Sequence, residues 1–177
     1  IGLSVSLLGE CIRIITVAFV PAGTSGRNTK QQKATSLNQT GIYSIVRHPL
    51  YLGNFLMFLG PFIFTGNIYG IIIFILSFWI YYERIMYAEE TFLISKFGSE
   101  YENWSSKTPA FFPNIASYTP TKSIFSFRKV LEGEYSGIYG VFVIFTLLLA
   151  FRNYNLNITP IISNAWKGVF LGNTLIY

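Results

Sequence analysis

Residues 50–82, LYLGNFLMFLGPFIFTGNIYGIIIFILSFWIYY, hold no charged side chain, and their reading decides the fold. As one helix they would run about 50 Å, well beyond a hydrocarbon core of about 30 Å, so the chain has to double back. Pro61 and the Gly66-Asn67 pair supply the break, which predicts one leg over about 50–65 and a second over about 68–82. Each leg is shorter than the ~20 residues of a comfortable span, which leaves its polar ends at headgroup depth. The charges that bracket this hairpin are Arg47 before it and Glu83 and Arg84 after it, with Glu89-Glu90 just beyond.

Composition agrees with a membrane setting. Hydrophobic residues make up 51% of the 177 and charged residues only 12%, too few charges to cover an ordinary soluble domain. All eight acidic residues are Glu, and the single His and single Cys are His48 and Cys11. An internal disulfide is therefore impossible, a zinc centre lacks ligands, and a Ser-His-Asp triad has no Asp. The formal net charge of +5 is spread over loops between apolar segments, which suits anionic lipid headgroups and gives no dense patch for nucleic acid.

Working outward, residues 1–20 read as a helix ended by Pro21 and Gly23, with Glu10 and Arg13 three apart on one face and expected to pair. Residues 22–40 read as a polar surface loop. Past the hairpin, 88–104 reads as an amphipathic helix lying along the interface, weakened by Gly98, and Phe111-Phe112-Pro113 as an aromatic anchor among headgroups. A further apolar helix is expected over 136–151 and a short one over 161–177. Four Lys and Arg fall between Pro21 and Pro49 and six between Glu83 and Tyr135, which places both polar stretches on the cytoplasmic side. The expectation is an all-α integral membrane protein. It has four to five transmembrane helices, a short helical hairpin and a cytoplasmic interfacial helix, in a single domain over 1–177 with its core at 41–113 and an extension at 114–177.

The two polar clusters carry the chemistry. Arg47 offers a permanent fork of donors for a carboxylate or phosphate, and His48 exchanges a proton near neutral pH. Pro49 favours the first turn of the hairpin helix and holds His48 out of helical geometry, which presents the pair at a helix start. Gly53 allows a ligand or a helix to approach closely, and Asn54 adds a polar group on the same helix. Glu89 and Glu90 point about 100° apart, so one is free to bind while the other pairs with Arg84 or Lys96. Two short legs return the chain to one face, so the basic and acidic clusters meet across the hairpin. A cationic fork, an imidazole and two carboxylates beside aromatic side chains suit a zwitterionic, nucleobase-bearing ligand.

The series Gly41-x-Tyr43-x-x-Val46-Arg47-His48-Pro49-x-Tyr51-x-Gly53, then Glu89-Glu90, Phe97-Gly98-x-Glu100-Tyr101 and Thr108-Pro109, resembles the isoprenylcysteine carboxyl methyltransferase family. The likeness extends to its bacterial members and to the related phospholipid N-methyltransferases, and it covers 41–113. It implies a membrane methyltransferase with S-adenosylmethionine in a cytoplasm-facing pocket of a bacterial inner membrane or an endoplasmic reticulum. Residues Tyr43, Arg47, His48, Pro49, Tyr51, Gly53, Asn54, Glu89 and Glu90 are then expected at the cofactor, with Arg47 and His48 as catalytic candidates and no metal. Arg47 would hold the cofactor carboxylate and a Glu its ammonium or ribose, while His48 either binds cofactor or serves as base for an amine or thiol acceptor. The acceptor, lipid or lipid-linked, is expected to enter sideways from the bilayer. Sterol reductases share a similar Arg-x-Pro-x-Tyr segment and bind NADPH, and a non-catalytic membrane scaffold is the third reading. Glu89-Glu90 favours the methyltransferase.

Overall fold

The computed structural model describes residues 1–20, 34–158 and 162–176, so most of the expected polar loop at 22–40 lies outside the described residues. The described chain is helical: α1 (Gly2–Phe19), α2 (Pro49–Thr65), α3 (Ile68–Phe97), α4 (Ser99–Ser105), α5 (Phe127–Asn155) and α6 (Asn164–Ile176). Helices α1, α3 and α5 are long and apolar enough to cross a membrane, and α2 is a shorter apolar helix packed among them. Along α3 the side chains of Ile72, Ile73, Leu76 and Ile80 are exposed in a row. Such a surface is stable only against lipid, so the fold is a helical membrane bundle.

The hairpin turns where expected. Gly66 takes the left-handed conformation, φ 69°, that closes α2, and the Asn67 side chain accepts the Gly70 N–H at 3.1 Å to open α3. Pro61 does not break α2, however; it sits inside the helix. A proline removes the amide that would bond the carbonyl four residues back, here Met57, and in lipid that loss must be met from elsewhere. The Ser6 hydroxyl of α1 donates to Met57 O at 2.7 Å and fills the gap.

Glycines let α1 and α2 come this close. A Cβ on Gly9 would lie 2.5 Å from Gly53 O, and one on Gly2 would lie 2.5 Å from Gly60 O. Two glycine pairs seven residues apart thus make a backbone-to-backbone seam between antiparallel helices. The end of α1 is tied to the start of α5, where Ser126 N donates to Ala18 O at 3.0 Å and Lys129 Nζ to Val20 O at 2.6 Å.

The second leg does not stop at Tyr82. Helix α3 continues to Phe97, about 45 Å at ~1.5 Å per residue, and carries Glu89 and Glu90 out of the apolar layer on one rigid rod. The expected interfacial helix at 88–104 is therefore the end of α3 followed by α4, parted at Gly98 with φ 52°. The aromatic anchor also divides: Phe112 is exposed, but Phe111 is buried against Phe55 and Phe78 of the hairpin and Trp79 beside them. Helix α5 begins nine residues before the expected start at 136 and takes in the basic stretch at Arg128-Lys129.

Candidate active site

The segment before α2 is held by backbone pairing rather than by packing alone. Arg47 N donates to Pro109 O at 2.9 Å, His48 N to Ala110 O at 3.2 Å, and Asn114 N to Ile45 O at 2.9 Å. Trp104 adds an indole N–H to Tyr43 O at 3.1 Å. Residues 43–48 are thereby fixed against 104–114, and Pro49 starts α2 with His48 as the residue before its first turn.

On that mount the two polar clusters meet. Arg47 Nε donates to Glu90 Oε1 at 2.9 Å, and His48 Nε2 lies 2.8 Å from the same oxygen. His48 Nδ1 is 3.6 Å from Glu89 Oε2, which also accepts the Tyr51 hydroxyl at 2.9 Å. Both carboxylates thus face the imidazole, and neither pairs with Arg84 or Lys96. Tyr51 stacks on His48 with ring centres 5.4 Å apart and tilts against Tyr82 at 5.2 Å.

Arg47 does more than face a ligand. Its Nη1 donates to Ser105 O at 2.9 Å and Thr108 O at 3.1 Å, so the guanidinium ties the turn after α4 to the start of α2. Among the described residues Nη2 has no protein partner, which leaves one edge of the fork for an anion. Side-chain exposure is 18% for Arg47, 24% for Glu90 and 32% for Glu89, open enough for a ligand to reach them.

Electrostatics decides the state of His48. Burial favours its neutral form, but hydrogen bonding and charge from Glu89 and Glu90 outweigh that and raise its pKa above the ordinary imidazole value. The protonated form of His48 is thus favoured by the two carboxylates against its burial. Desolvation, followed by the nearby carboxylate charge, raises the Tyr43 and Tyr101 hydroxyls so that both stay protonated.

The remaining expected residues sit behind this surface. Gly53 meets α1, where an added Cβ would fall 2.5 Å from Arg13 Cγ, so the close approach it permits is that of a helix. Asn54 accepts from Arg13 Nη1 and donates to the Tyr82 hydroxyl at 3.1 Å. Arg13 in turn places Nε 2.7 Å from Glu134 Oε2 of α5, a long-range partner unlike the expected neighbour Glu10. The sequence motifs leave out Tyr82, and they include Tyr101 without giving it a place at the site. Tyr101 is buried beside Glu90, whose carboxylate acts on its hydroxyl.

Comparison with known proteins agrees with the motif series. The phospholipid methyltransferase family matches residues 2–100. A protein-S-isoprenylcysteine O-methyltransferase of Schizosaccharomyces pombe is 36% identical over 111 residues, 61% of this chain and 46% of that protein. The nickel-cobalt-cadmium resistance protein NccN of Alcaligenes xylosoxydans xylosoxydans is 33% identical over 66% of this chain and 52% of its own length. The cobalt-zinc-cadmium resistance protein CzcN of Cupriavidus metallidurans is 31% identical over 72% and 58%. The chain spans about half the length of the curated relatives it matches. With more than half of its residues matched, from α1 through the Glu pair, the chain belongs to the phospholipid methyltransferase family.

Proposed function

We propose that this chain is a membrane methyltransferase domain that uses S-adenosylmethionine and methylates an acceptor reaching the site from the bilayer on the cytoplasmic side. The observation that carries the reading is the meeting of Arg47, His48, Glu89 and Glu90, about 40 residues apart in sequence, on one partly open surface. Residues 1–177 act as one domain in this reading, with the site inside 41–113. The residues fit the donor. It is a zwitterion with a sulfonium, and the surface offers two reachable carboxylates, one unoccupied guanidinium edge and a wall of Tyr51 and Tyr82.

S-adenosylmethionine supplies an electrophilic methyl group when bound. The chain's part is to bind, orient and keep water out. Glu89 or Glu90 holds the ammonium or ribose, and Arg47 Nη2 takes the carboxylate. Tyr43 and Tyr51 close the side, while Pro49, Gly53 and Asn54 act from behind by fixing the helix that bears them.

The setting of His48 bears on the acceptor. Both ring nitrogens face carboxylates, Nε2 at 2.8 Å from Glu90 and Nδ1 at 3.6 Å from Glu89, which leaves neither turned toward an amine or thiol, so His48 serves as binder and spacer. A carboxylate acceptor needs no base. That chemistry matches the O-methylation for which the fission yeast relative is named, and an acid-bearing lipidated acceptor is the substrate class we favour.

Calorimetry on detergent-purified protein tests the reading. S-adenosylhomocysteine is expected to bind at micromolar concentration, NADPH not at all, and Glu90→Gln to weaken the former at least tenfold with little loss of thermal stability. Well-folded wild type that binds neither S-adenosylmethionine nor S-adenosylhomocysteine would overturn it.

A further inference from the structure

Behind the site runs a polar chain that crosses four helices. It starts at Glu134 on α5, which holds Arg13 Nε of α1 at 2.7 Å. Arg13 Nη1 then donates to Asn54 Oδ1 on α2, and Asn54 Nδ2 donates to the Tyr82 hydroxyl on α3 at 3.1 Å. The directions of these bonds are set by chemistry. Arginine has no acceptor, so the amide oxygen of Asn54 has to face Arg13 and its NH2 has to face Tyr82. Tyr82 is therefore an acceptor in this contact, and its own O–H proton is directed elsewhere.

That proton has no protein acceptor among the described residues, and the ring that bears it packs against Tyr51 of the candidate site at 5.2 Å. Tyr82 and Glu89 are seven residues apart on α3, two turns along one face and about 10 Å in rise. Tyr51, whose hydroxyl is on Glu89, packs its ring against the Tyr82 ring, and Phe78 stacks beneath at 3.9 Å. The ring is thus held in place from both sides, and only the direction of its proton is left to be set. An Arg–Glu pair in the apolar layer is costly to build for packing alone.

We propose that Tyr82 is a ligand-contacting hydrogen-bond donor of this site, with Arg13 and Asn54 as positioning residues that turn its proton toward an acceptor atom of the bound methyl donor. The inference rests on the methyl-donor reading above and adds to it a donor group beside the Tyr51 ring, two helical turns from Glu89.

Titration of S-adenosylhomocysteine into wild type, Tyr82→Phe, Asn54→Asp and the double variant, with the melting temperature of each, provides the test. Tyr82→Phe keeps the ring and loses the proton, and is expected to bind about tenfold more weakly. Asn54→Asp is expected to match it. A carboxylate keeps the size and the Arg13 contact but accepts from Tyr82, drawing the proton away from the ligand. The double variant is expected to be no weaker than either single one, the mark of two changes acting on one bond. Wild-type affinity in folded Tyr82→Phe overturns the inference. So does wild-type affinity in Asn54→Asp, the result that a packing role predicts. Folded wild type that binds no S-adenosylhomocysteine overturns the methyl-donor reading and this inference with it, whereas binding unmoved by the substitutions overturns the inference alone.

Discussion

Two ionic clusters lie beside the α2–α3 hairpin, and they differ in their access to water. At Arg13 and Glu134 the side chains are 11% and 0% exposed, whereas Arg47, Glu90 and Glu89 keep 18%, 24% and 32%. The sealed pair has no exit for its charges and serves as a permanent fixture between α1 and α5. The open cluster keeps its carboxylates within reach of solvent, so each can trade a protein donor for a cationic group of a ligand at modest cost. Ion pairs of similar length thus do different work according to the water around them.

The contrast is most easily broken at its sealed end. Glu134→Ala leaves Arg13 charged in the apolar layer and is expected to cost about 3–5 kcal/mol, read as unfolding of the detergent-solubilised protein in rising SDS. A loss under about 1 kcal/mol would mean that water reaches Arg13 after all.

A smaller, pH-dependent effect belongs to the open cluster. Because the folded state raises the His48 pKa, the stability it contributes is fully present below the unfolded value near 6.5 and is lost as pH climbs through the raised value. Melting temperature is therefore expected to fall on the alkaline side, and His48→Gln to remove that slope. A slope of the opposite sign would show that burial outweighs the two carboxylates. The smallest effect is expected at Arg128 and Glu132, an ion pair 2.7 Å long with side chains 86% and 64% exposed. Glu132→Ala should leave the melting temperature unchanged, which would set the baseline for solvated pairs.

Much of this was legible in the sequence because the signals were local. The charge-free run, the Gly66-Asn67 turn and the return of Glu89-Glu90 to Arg47-His48 follow from bilayer thickness and chain direction alone. What stayed hidden depended on partners far along the chain. Glu83 and Arg84 mark where α3 leaves the apolar layer and suggest a helix end, yet the residues after them go on favouring helix. Pro61 looks like a break until Ser6 is known to lie beside Met57. Arg13 reads as the partner of Glu10 because the sequence gives no hint that Glu134 comes within 2.7 Å of it. Tyr82 is hidden among twelve tyrosines, since no spacing sets a ligand-facing hydroxyl apart from an interfacial one.

The hydroxyl bond from Ser6 to Met57 also bears on how the protein is made. Released alone into lipid, α2 would carry a bare carbonyl at Met57, a defect worth several kcal/mol in a solvent without donors. The first helix brings the missing donor, and the facing glycines give it the room to do so. Helix α2 is thus an incomplete membrane insert in its own right. It is finished by a neighbour synthesised before it, so the order of the chain is also an order of assembly.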